Sequence, residues 1–114
     1  MAMRQFVFDG STYQADISGV ENAQLLRKLG RWLEASATME EGGDAADELH
    51  SAICDITAGE FVTIGRLAKR IWWRDGVDWK PIDCDMRRQM ALVAMFLGAT
   101  VAEEMLEFEG APNA

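Results

Sequence analysis

Histidine and cysteine are scarce in this chain, and bases are outnumbered. The single histidine, His50, leaves no second imidazole for a zinc pair, and neither an EF-hand spacing, a G-x-G-x-x-G turn nor a Walker-type loop occurs. The two cysteines, Cys54 and Cys84, form no C-x-x-C motif. The opening MAMRQFVF lacks the long apolar core of a signal peptide. These features lead us to expect two free thiols in a reducing, cytoplasmic setting. Eleven Lys and Arg stand against 19 Asp and Glu, a formal charge of −8. Such a surface argues against nonspecific nucleic-acid binding. The longest apolar run is thirteen residues, Met90 to Ala102, short of the ~20 that cross a bilayer, so no membrane is expected.

That same run organises the chain. MALVAMFLGATVA carries no charge and is apolar nearly all round, the signature of a buried helix. Its flanks extend the expected helix from Cys84 to Phe108, capped by Asp83. Met86, Met90, Met95 and Met105 read as core filling.

At the other end, Phe6 and Phe8 alternate with Gln5 and Val7, Asp9-Gly10 is a hairpin turn, and Tyr13, Ala15 and Ile17 alternate on the return. Ser18 and Glu21 fit a capping box ahead of a helix from Gly19 to Met39, with Leu25, Leu26, Leu29, Trp32 and Leu33 as its stripe. Asp44 caps a second helix with Ala45, Ala46, Leu49, Ala52, Ile53 and Ile56 inward, packed on the central helix and ending at Gly59. Thr57 to Glu60 repeats the capping box ahead of a third helix through Trp72, although Phe61 to Ile64 also suits a strand. Arg74 to Ile82 reads as a loop around Gly76 and Pro81. The expected fold is α+β and mostly helical, an N-terminal β-hairpin followed by about four helices packed around a buried C-terminal helix. One domain spans 1–114, with the hairpin at 3–17, the helical body at 18–109 and a frayed tail at 110–114.

Charge is clustered. Glu40, Glu41, Asp44, Asp47 and Glu48 form one acidic block, and Glu103, Glu104 and Glu107 with Glu109 form another. These are the expected contacts to a protein partner with a basic surface. Trp73 and Trp79 with Arg70 and Arg74 form a second candidate contact, because tryptophan and arginine dominate many interfaces. His50 and Cys54 are spaced i and i+4 and could meet on a helix, the one arrangement with nucleophilic potential. No catalytic, metal or cofactor site is assigned.

Thr63-Ile-Gly-Arg-Leu-Ala-Lys-Arg70 resembles the first helix of a MerR-type helix-turn-helix, but Ile71-Trp-Trp-Arg-Asp-Gly follows where that family has a turn and a recognition helix. Phe6-Val-Phe-Asp-Gly-Ser-Thr-Tyr13 resembles the opening of small phage proteins that include tail assembly chaperones. That resemblance implies a non-enzymatic assembly factor that binds tail components. In its acidity, size and lack of motifs the chain is also similar in type to phage-encoded inhibitors of host enzymes, including anti-CRISPR proteins. The leading expectation is an acidic protein-binding inhibitor or adaptor that occupies a basic or nucleic-acid-binding surface. The alternatives are an assembly protein that self-associates through the hairpin edge or the tryptophans, and a small enzyme using His50 and Cys54.

Overall fold

A computed structural model describes residues 3–40, 42 and 46–110, the last eight by backbone alone. Strands β1 (Arg4–Phe8) and β2 (Ser11–Ala15) form the N-terminal hairpin. The turn residues Asp9 and Gly10 have φ of 52° and 79°, as a two-residue type I′ turn requires, and glycine adopts the second without strain. Helices α1 (Ala23–Glu40), α2 (Ala46–Cys54) and α3 (Ala58–Ala68) follow. Strands β3 (Ile71–Asp75) and β4 (Asp78–Pro81) come next, then helix α4 (Met86–Gly110). The four strands make one antiparallel sheet in the order β1-β2-β3-β4.

The second hairpin departs from the expected helix through Trp72 and loop to Ile82. The apolar spacing of Phe61, Ile64, Leu67 and Ala68 continues to Ile71, so periodicity alone runs the helix on. The chain instead breaks at Lys69-Arg70. Ile71 is fully buried as a strand residue, which the aromatic and β-branched composition of Ile71-Trp72-Trp73 favours. Gly76, at φ 67°, turns β3 into β4.

Alternation in the sheet sets two faces. Phe6, Phe8, Tyr13, Ala15, Ile71 and Trp73 point to the helices. Gln5, Val7, Thr12, Gln14, Trp72, Arg74, Trp79 and Pro81 occupy the outer face.

Helix α4 is the core helix, with Leu92, Val93, Phe96 and Leu97 at 0–1% exposure. Phe96 meets Phe6 edge-on, ring centroids 5.1 Å apart. Met90 is buried, while Met86 is exposed rather than core filling. Asp85, not Asp83, accepts from the first turn, at 2.9 Å from the Arg88 N–H. Helix α1 starts at Ala23, later than expected. Ser18 Oγ accepts from the Glu21 N–H at 3.4 Å, and the Gly19–Asn22 segment forms turns. The Thr57–Glu60 capping box forms as expected and starts α3, which places Gly59 inside that helix rather than at the end of α2. Helix α2 packs on α1 rather than on α4. Asp44, Ala45 and the tail beyond Gly110 lie outside the described residues.

No helix among the described residues is long and apolar enough to cross a membrane.

Candidate functional site: an apolar cleft beside helix α2

The stripe of α1 does not stop where the core stops. Trp32 is buried and packs in the core, but Met39, two turns on, is 39% exposed. On α2, Ala52 is fully buried against α1 while its neighbour Ile53 is 40% exposed. Because α2 leans mainly on α1, the space between its outer side and the start of α3 stays open. The result is a recess of ≈ 520 Å³ whose walls include Trp32, Met39, Leu49, Ile53, Phe61 and Met90. A second recess of ≈ 470 Å³ lies between α1, α4 and the hairpin, against Phe8, Leu33, Ala37 and Ala91. The two share Trp32, Ser36, Glu40 and Arg87. Arg87 Nη2 donates to Glu40 Oε1 at 2.6 Å, so this ion pair bars a groove that continues to either side of it. Both side chains are 67% exposed, and such a pair contributes roughly 0–1 kcal/mol.

The acidic residues fall unevenly. Glu40 is tied to Arg87, and Glu48 accepts from Arg31 Nε at 2.8 Å. Asp47 is exposed in the first turn of α2, where the helix dipole favours it, and has no ion pair among the described residues. Glu41 and the side chains of Glu103, Glu104 and Glu107 lie outside what is described. Of the described members of the first acidic block, Glu40 borders the cleft, paired with Arg87, while Asp47 and Glu48 stand at the start of α2, Glu48 paired with Arg31.

The expected tryptophan and arginine contact does not form one cluster. Trp73 pairs with Lys80 and faces the core, whereas Trp79 pairs with Arg74 on the outer face. Trp79 and Arg74 do meet, with the guanidinium 6.0 Å from the ring centroid. Arg70 bonds Asp16 at 3.1 Å, at the far end of β3.

His50 Nε2 lies 3.5 Å from Cys54 Sγ, so the i, i+4 spacing brings them together. Both are exposed, neither lines the cleft, and among the described residues no carboxylate bonds the imidazole. Cys84 lines the second recess, where burial pushes its thiol up, against the smaller opposing effect of Arg88. Both cysteines are free. Among the described residues no three His, Cys, Asp or Glu side chains gather as a metal site would need.

The sequence places Trp32, Leu49, Ile53 and Phe61 on core stripes, without a cleft. No local pattern separates Met39 and Ile53, which the structure leaves half-exposed, from the apolar residues that the core covers. Compared with family models, with curated proteins and with solved structures, the chain matches none.

Proposed function

We propose that this chain is a non-enzymatic protein-binding module, an inhibitor or adaptor, whose α1–α2–α3 cleft receives an apolar segment with basic flanks from a partner's nucleic-acid-binding or otherwise basic surface. One observation carries the reading. An apolar recess of ≈ 520 Å³ stands open beside the half-exposed Met39 and Ile53, with Glu40 in its wall and Asp47 and Glu48 exposed at the start of α2. Exposed apolar surface forgoes roughly 25 cal/mol per Å² of burial, and a contiguous patch with a polar rim marks an interaction site. Acids beside such a patch attract a basic segment and repel an acidic one. Two free thiols fit a reducing compartment such as the cytoplasm.

The test is a titration with a synthetic helical peptide, leucine on one face and lysine on the other, followed by methyl NMR. The expected result is a shift confined to the Met39, Met90 and Ile53 methyls, an affinity that falls with salt, and weaker binding after Glu40→Lys. Ile53→Asp should abolish the shifts. Equal binding of a peptide with glutamate in place of lysine, or shifts elsewhere only, would end this reading.

A further inference from the structure

The two edges of the sheet are built differently. A two-residue turn is closed by a hydrogen-bonded pair, and bonded pairs alternate with non-bonded ones along an antiparallel ladder. In the first hairpin the closing pair is Phe8–Ser11, so Phe6–Tyr13 and Arg4–Ala15 are bonded as well. Gln5–Gln14 and Val7–Thr12 are then the non-bonded pairs. The N–H and C=O groups of Gln5 and Val7 therefore point off the sheet, two donors and two acceptors, with no partner among the described residues. In the second hairpin the same reasoning from Asp75–Asp78 points Trp79 and Pro81 outward at the β4 edge. There Pro81 has no N–H to offer, the strand is four residues long, and Asp78 and Lys80 flank it. These are the devices that blunt a sheet edge. Strand β1 has none of them from Gln5 to Phe8: no proline and no charge.

The geometry points to β1 as a strand-addition edge whose occupant is β1 of a second copy, laid antiparallel about a two-fold axis at Phe6. The register is self-complementary. With Phe6 opposite Phe6 of the second copy, Gln5 lies opposite Val7 in both directions, and the four outward groups of each copy meet in two doubly bonded pairs. Charge fits the same register. Each chain carries −8, yet the paired stretch holds no acid. Arg4, the one charged residue of β1, comes beside Phe8 and the acidic Asp9 turn of the second copy. The cleft, on the opposite side of the sheet from Val7, takes no part. Two five-residue strands make a smaller contact than the roughly 800 Å² per partner of a permanent complex, so the dimer is a concentration-dependent one.

The side chains of Gln5 and Val7 are exposed, Val7 at 72%, so both can be changed without touching the core. The experiment is light-scattering mass over a concentration series. The parent should rise from 12.7 kDa toward twice that value. Gln5→Lys with Val7→Lys sets lysine against lysine twice across the axis and should hold the mass at 12.7 kDa. Gln5→Glu with Val7→Lys sets glutamate against lysine twice and should restore the dimer at least to the parent's level. Val7→Pro removes an outward N–H that the fold does not use; it should give a monomer with unchanged far-UV circular dichroism. Ile53→Asp, which destroys the cleft, should dimerise like the parent. A parent that stays monomeric throughout, a double-lysine variant that dimerises normally, or an Ile53→Asp variant that loses the dimer each overturns the proposal. The first of these would leave the edge to an extended segment of another protein.

Discussion

The hydroxyl of Thr100, on α4, accepts the backbone N–H of Gly19 at 2.8 Å and donates to the carbonyl of Leu97 at 3.0 Å, all out of water. This joins the entry to α1 to the middle of the core helix across 81 residues. Gly19 has to be glycine, because a Cβ there would stand 2.1 Å from the Leu97 carbonyl oxygen and 2.4 Å from Val101 Cγ2. Thr100→Val keeps the volume but strands a buried donor, which costs about 1–3 kcal/mol. Thr100→Ser should retain most of the stability. Gly19→Ala should lose more than either, since a backbone atom is the obstacle. Urea denaturation midpoints of the three variants check this order.

Arg88 fastens the hairpin to α4. Its guanidinium reaches Asp9 Oδ2 at 3.3 Å and the Tyr13 hydroxyl at 3.2 Å, and lies 5.5 Å from the Phe8 ring centroid. Tyr13 and then Asp9 hold its pKa up, so the anchor stays charged at any ordinary pH. Arg88→Met should lower amide protection in β1 and β2 well before it lowers protection in α3. Hydrogen exchange followed residue by residue reads the difference. A uniform loss of protection would mean that the hairpin has no independent anchor there.

Glu60 gives stability a dependence on acid. Lys28 Nζ donates to it at 2.8 Å and the Thr57 N–H at 2.9 Å, and its pKa falls below the usual carboxylate value, chiefly through Lys28 and then Thr57. A carboxylate with a depressed folded pKa stabilises the fold above its unfolded pKa, and that contribution fades as pH falls through the folded value. As pH falls through the acid range below the usual glutamate value, the denaturation midpoint should therefore drop more steeply in the parent than in Glu60→Gln. Lys28→Met should flatten the same limb. Parallel curves for parent and variants from pH 7 to pH 3 would contradict this.

The two thiols should react at different rates. Cys54 is exposed, whereas burial raises the pKa of Cys84 and leaves less of it as thiolate. At neutral pH a disulfide reagent should modify Cys54 first, and Cys54→Ser should leave only the slow phase. In denaturant the phases should merge.

The first hairpin was legible because two independent signals agreed, alternation in Phe6, Phe8, Tyr13 and Ala15 and an Asp-Gly turn. The core helix was legible from composition. The Thr57–Glu60 box was legible because both partners lie within four residues. The second hairpin was missed although it also contains Asp-Gly, at Asp75-Gly76. The helical period of α3 happens to place Ile71 in phase, and a residue in phase is buried whether the chain continues as helix or turns into a strand. The side of Trp73 and Trp79 follows from strand parity, so reading that stretch as helix and loop put both on one edge. The cleft was not legible, because an opening is set by what α2 fails to cover. That depends on how α2 leans on α1, and no local pattern encodes it.

The seam between the two hairpins has a consequence for the order of events in folding. Tyr13 pairs with Trp73 and Ala15 with Ile71, so the middle of the sheet joins segments separated by three helices. Closing a loop of that length is entropically unfavourable until other contacts hold its ends together. During synthesis β2 must wait, its inner edge unpaired, while α1, α2 and α3 emerge, and the core helix that covers the sheet is made last. A nascent chain ending near Arg70 is thus a half-sheet without a lid. The final forty-odd residues supply both the missing strands and the helix that seals them.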